Sequence, residues 1–228
     1  MGLKKVVKLL KDENRKALYA ALALNVAVFL AAVQSDAILG GDLLPLVRSA
    51  IASLPAVVSL ILITIVNGLI SADMKARLVF LRWDNPLPGS QAFSRYGPAD
   101  PRVNFAEIKR LYGPLPTDPV EQNRLWYKMS LSVEGNARVK HAHREFLLAR
   151  DYAPMALMLL IGLGAAGFFT IPSTGTAVIY AGLLLIQFAA TIIAGQNYGR
   201  RFVTSVLAIK AGAPEAVKPP RKAVAAKG

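Results

Sequence analysis

The sequence predicts an all-α polytopic membrane protein, with four transmembrane helices in two hairpins and a helical insert between helices 2 and 3. Three observations predict it. From Tyr152 to Gly199 there is no Asp, Glu, Lys or Arg, and the stretch is broken once, at Ile171-Pro172-Ser173-Thr174-Gly175. Two more uncharged runs come earlier, Ala17 to Ser35 and Ser49 to Ala72. The Lys and Arg residues, 27 against 14 Asp and Glu, gather in blocks between these runs.

A helix that crosses a bilayer needs about 20 apolar residues, because the hydrocarbon core is about 30 Å thick and a helix rises about 1.5 Å per residue. The runs therefore set helices near 17–34, 48–71, 152–171 and 176–197. Lys and Arg collect on the cytoplasmic side of membrane helices. Lys4, Lys5, Lys8, Lys11, Arg15 and Lys16 precede helix 1, while the first connection holds Asp36, Asp42 and only Arg48. Residues 73–151 carry 13 Lys or Arg, the turn near 171–175 carries none, and seven follow Gly199. Every basic block then falls on one side. Both termini and the insert are expected in the cytoplasm, under a bacterial inner membrane with an anionic inner leaflet. Cleavage of helix 1 as a signal peptide would reverse the basic insert, so it is not expected.

This divides the chain into a basic amphipathic N-terminal helix (1–16), a hairpin (17–72), a cytoplasmic helical domain (73–151), a second hairpin (152–199) and a basic, partly disordered tail (200–228). In the first segment Leu3, Val6, Val7 and Leu10 recur at helical spacing opposite lysines, which suits the membrane interface. In the insert, 74–83 reads as a continuation of helix 2, ended by Asp84-Asn85-Pro86-Leu87-Pro88-Gly89. Asn104 with Glu107 opens a helix over 105–112, and Gly113 closes it. Thr117-Asp118-Pro119 starts another that runs to Arg150, in one piece or two joined at 134–136, and continues into helix 3. No segment alternates as a strand does.

The chain has no cysteine, which excludes disulfides, thiolate metal sites and cysteine nucleophiles. No Asp, Glu, Lys, Arg or His lies within the uncharged runs, which argues against proton-coupled carriers. The embedded polar residues Asn25, Asn67 and Gln187, with Ser59 and Thr64, suit interhelix hydrogen bonds or a pore lining. Ala23, Ala27 and Ala31 on helix 1, and Gly162 with Ala166 on helix 3, form small-residue faces suited to close packing or self-association. Arg77, Arg82, Arg124, Arg138, Lys140 and Arg144 are candidates for an anion or a partner, and Arg200 and Arg201 are expected to snorkel to the inner surface. Trp83, Trp126 and Tyr152 read as core or interface anchors. His141 and His143 are two apart and do not share a helix face, so no metal is expected there. No catalytic arrangement and no cofactor-binding motif is found.

The expected function is a homo-oligomeric inner-membrane sensor or effector. Its cytoplasmic domain binds a cytosolic protein, a nucleotide or another anionic ligand, and alters the membrane, for instance by gating a pore. Nucleic acid is not expected, since the net charge of +13 is explained by membrane sidedness. In architecture alone the chain looks like small membrane effectors of bacterial defence systems. A scaffold or accessory subunit of a larger membrane complex is the second reading, and a lipid-processing enzyme the third.

Overall fold

Four residues with strong capping preferences punctuate the middle of the chain, and the helices begin where they stand. The computed structural model describes residues 3–39 and 54–212, and among them every regular element is helical. Helix α1 spans Leu3–Val33, α2 Ser35–Leu39, α3 Leu54–Leu69 and α4 Ala72–Phe80. A 3-10 turn at Pro88–Gln91, a π turn at Ala92–Tyr96 and a single helical turn, α5 Gly97–Ala99, follow. Then come α6 Phe105–Tyr112, α7 Pro119–Ser132, α8 Ala137–Thr170 and α9 Thr174–Gly212.

The caps satisfy amides that a helix start leaves without a partner. Asn104 accepts from the amide of Glu107, Asp118 from those of Val120 and Glu121, and Asn136 from those of Arg138 and Val139. The long stretch from 119 to 150 is therefore two helices, and the second runs on without interruption to Thr170. Ser71 changes the picture at helix 2. It accepts from the amide of Met74 at 3.2 Å and opens α4 as a new helix, so residues 74–83 do not continue α3. Leu81, at φ 52, closes α4 in the left-handed region.

Among the described residues three helices are long and apolar enough to cross a membrane: Asp12–Val33, Ala137–Thr170 and Thr174–Gly212. The described part of the expected second crossing, α3, has 16 residues, and residues 48–53 of that crossing lie outside the described residues. So do the side chains of residues 3–9 and Ser59, and the tail beyond Gly212. Helix α1 runs as one helix from Leu3 to Val33, across the expected boundary at 16/17.

Helices α8 and α9 run antiparallel against each other along most of their length. Gly167 meets Tyr180, Gly164 faces Leu184, and Gly195 approaches Ala149. At Gly199 the approach is closest: an added Cβ would stand 2.5 Å from Phe80 Cζ and 3.2 Å from Phe146 Cε2. The faces singled out in the sequence do other things. Gly162 has nothing near it, and Ala23 and Ala27 are exposed.

The main core is built around the far end of α9, where a tail was expected to start. Phe202, Val203, Val206 and Leu207 are buried among Val79 and Phe80 of α4, Trp126 and Met129 of α7, and Val139 and Phe146 of α8. The ring of Trp126 meets Phe202 edge-on, with centroids 5.1 Å apart. Gln122, fully buried, accepts from the amides of Phe93 and Ser94 and donates to the carbonyl of Thr117, which satisfies the irregular turns at 88–96. Arg200 and Arg201 engage residues of the insert. Arg200 lies over the Tyr96 ring at 5.9 Å, and Arg201 pairs with Glu145 at 3.2 Å. Two smaller clusters hold the apolar helices, with Leu18 and Leu22 on Met155 and Leu159, and Phe29 on Tyr180.

Overfilling a tight contact costs about 1–3 kcal/mol. Gly199→Leu should therefore lower the thermal unfolding temperature of the purified protein, while Gly182→Leu, where nothing lies within 4 Å of an added Cβ, should not. A second expectation concerns the loop after α5. Arg102 donates from its backbone amide and Nε to one oxygen of Asp100, and from Nη2 to the other at 2.6 Å and to Thr204 Oγ1 of α9 at 3.0 Å. The Arg102 guanidinium holds the Asp100 carboxyl well below its ordinary value of 3.8. A depressed carboxyl stabilises the fold above the ordinary value, and that contribution fades as pH falls through it toward the depressed one. The stability gap between wild type and Asp100→Asn should be full at neutral pH and close in acid below 3.8.

Candidate functional site

Consecutive residues on a helix project about 100° apart, so three in a row reach three different neighbours. Arg150, Asp151 and Tyr152 of α8 do so at the point where the charged half of the molecule gives way to the apolar half. Pro154 follows one turn later, inside the helix. It has no N–H, so the Arg150 carbonyl loses its ordinary helix partner there.

Asp151 is buried and shared by two cations. Arg150 donates to Oδ1 from Nε at 3.0 Å and from Nη2 at 2.8 Å, and Lys75 Nζ of α4 stands 3.5 Å from the same oxygen. All three residues are no more than 8% exposed. The Arg150 guanidinium also lies over the Phe146 ring at 5.9 Å. Buried ion pairs are weak contributors to stability, because desolvation offsets attraction, but removing one member leaves a stranded charge. The cluster thus fixes α4 against α8 geometrically.

Tyr152 turns the other way, into the apolar helices. Its hydroxyl accepts from Asn25 Nδ2 of α1 at 3.1 Å and from Gln187 Nε2 of α9 in a short hydrogen bond. Asn25 donates in addition to the Ala21 carbonyl at 2.8 Å. Two of the three embedded polar residues expected from the sequence therefore meet at one hydroxyl. The third, Asn67 of α3, is buried elsewhere, and its Oδ1 has no hydrogen-bond partner among the described residues. A cleft of about 230 Å³ opens beside the node, between Ala17, Ala21, Tyr152, Thr191 and Tyr198.

The six basic candidates do not form one anion site. Arg77 pairs with Asp73 at 3.2 Å and Arg124 with Glu121 at 2.6 Å. Arg82 donates to the Pro86 carbonyl and lies over Phe80. Arg138 is exposed. Lys140 and Arg144 converge on Glu13 of α1, at 3.9 and 3.7 Å, beside the hydrogen bond from Asn14 to the Arg144 carbonyl. His141 pairs with Glu145 at 3.2 Å, and His143 stacks on Phe202 at 4.3 Å. Among the described residues no three His, Asp or Glu side chains are grouped as a metal site would need.

Sequence reasoning missed the cluster for a definite reason. Asp151 and Arg150 end an uncharged run, and Lys75 lies just past another, so they read as charges that mark helix ends. Nothing in the linear spacing pairs Lys75 with Asp151.

Removing Asp151 leaves two buried cations facing each other. Asp151→Ala should cost about 3–5 kcal/mol, whereas Lys75→Met should cost distinctly less, since Asp151 keeps Arg150. Denaturant unfolding of both variants checks the order. The chemistry of this site is read from its own residues, because no protein family, no curated protein and no solved structure matches this chain.

Proposed function

We propose that the chain is a homo-oligomeric inner-membrane protein with four crossings, the fourth supplied by α3 extended through residues 48–53. Its helical insert lies in the cytoplasm, takes up a cytosolic partner or an anionic ligand, and passes the change to the membrane helices through the Arg150–Asp151–Tyr152 junction. One observation carries this reading. Helices α8 and α9 pass without interruption from the buried core of the insert into the apolar half, so the two halves cannot rearrange independently.

Three other features support it. All basic blocks fall on one side of the four crossings. The junction holds α1, α4, α8 and α9 through one set of polar contacts, which suits an element with two arrangements biased from one end. Small residues at Ala23, Ala27 and Gly162 face outward, where a second copy would pack. Four helices are too few to enclose a wide aqueous path, so an effector that opens the membrane needs several copies.

The native absence of cysteine allows a clean topology test. Ser173→Cys should react with an impermeant thiol reagent from outside the cell, and Ser132→Cys only after lysis. Mass measurement in nanodiscs should give a defined homo-oligomer, with ion flux that Tyr152→Phe changes by about tenfold, as expected for losing ~1–2 kcal/mol of coupling. A stable monomer without flux, joined to another protein only in cell extract, would replace this reading with the scaffold one.

A further inference from the structure

Two cavities meet at Arg77 and Trp83, just beyond the break between α3 and α4. One, of about 450 Å³, is almost wholly apolar, lined by Val66 of α3, Ile70 just after it, Leu78 of α4, and Leu157 and Met158 of α8. The other, of about 370 Å³, is polar, with Asp73, Asp84, Asn85 and Asn123 in its wall. Arg77 and Trp83 line both. Trp83 is 75% exposed, a large aromatic surface left at the boundary between the apolar and charged halves.

We propose that this double cavity binds one phospholipid with a zwitterionic, ammonium-bearing headgroup of the phosphatidylethanolamine type. The inference rests on the membrane placement argued above. The apolar cavity takes an acyl chain. The phosphate lies against the exposed part of the Arg77 guanidinium, which Asp73 holds at Nη2 from 3.2 Å. A guanidinium suits phosphate by its planar fork. The ammonium reaches Asp84, which is exposed and has no ion-pair partner among the described residues. The indole of Trp83 covers the glycerol level, where amphipathic aromatics are enriched.

Charge complementarity selects the headgroup class. The polar cavity holds two carboxylates and one guanidinium, and that guanidinium already answers Asp73. A phosphatidylglycerol headgroup would put only a neutral glycerol against Asp84, and leave the excess negative charge of the cavity unanswered. An ethanolamine headgroup carries a cation at the end that Asp84 faces. Lys75 also lines the apolar cavity, but it is engaged with Asp151.

The chain has two tryptophans, and Trp126 is 5% exposed in the core, which makes Trp83 a usable reporter. A Trp126→Phe protein is placed in vesicles of equal phosphatidylethanolamine and phosphatidylglycerol, with bromine on the acyl chains of one lipid at a time. Brominated phosphatidylethanolamine should quench Trp83 with about fivefold preference over brominated phosphatidylglycerol, the scale of a partly exposed ion pair. Asp84→Asn, a change at an exposed and unpaired side chain, should bring that preference close to one, and Arg77→Gln should weaken quenching by both lipids. Equal quenching, a preference for phosphatidylglycerol, or a preference unchanged in Asp84→Asn overturns the inference. Quenching by neither lipid, with protein that fails to float with the vesicles, overturns the membrane placement itself. Native mass spectrometry of wild-type protein from the same mixture, which should retain phosphatidylethanolamine, guards against a folding defect in Trp126→Phe.

Discussion

One carboxylate, that of Asp151, holds two cations from different helices at the end of an apolar run. Two buried positive charges repel unless a negative group stands between them, and Asp151 stands between Lys75 and Arg150. That constraint sets where α4 sits on α8, and with α4 come Val79 and Phe80, which fill the space left by Gly195 and Gly199. The close approach of α8 to α9 and the ion cluster are thus two views of one packing arrangement. Tyr152, the next residue, then fixes the direction in which α1 and α9 meet.

The division of labour between the two halves follows from solvent. In the charged half, polar turns between short helices are satisfied by Gln122, Asp100 and the capping residues, and a large aromatic and aliphatic core forms behind them. In the apolar half the contacts are sparse and the outward faces are bare: Phe169, Ile179 and Ile186 are each more than 60% exposed. Water would not tolerate so much apolar surface, but hydrocarbon does. Stability therefore resides mainly in the charged half, and the apolar helices are held to it by the junction and by the continuity of α8 and α9.

The legible part of the fold is the part written in local chemistry. Uncharged runs marked α1, α8 and α9, and Asn104, Asp118 and Gly113 each end or begin a helix where their capping preferences say they should. What was not legible depends on partners far apart in sequence. Ser71 breaks a helix that hydrophobicity alone would extend. Residues 200–212 look like a basic tail, yet Phe202, Val203, Val206 and Leu207 recur at helical spacing on a face that only the insert reveals as buried. Asn25 and Gln187 were visible as embedded amides, but the hydroxyl that joins them belongs to a tyrosine that reads equally well as an interface anchor. The glycines that matter, Gly195 and Gly199, lie outside the motifs that letter spacing suggests.

The hydrogen bond that Asn25 makes to its own helix bears on how the protein is built. Asn25 and Tyr152 are 127 residues apart, and Asn14 is 130 residues from Arg144. During synthesis α1 is complete long before α8 exists, and a bare amide in hydrocarbon would hinder its early insertion. The bond from Asn25 to the Ala21 carbonyl, at 2.8 Å, occupies one of its donors within the first helix. Helix α1, long and apolar enough to cross a membrane, thereby carries its amide already partnered before the rest of the bundle forms. It commits to its neighbours only when the last two helices arrive.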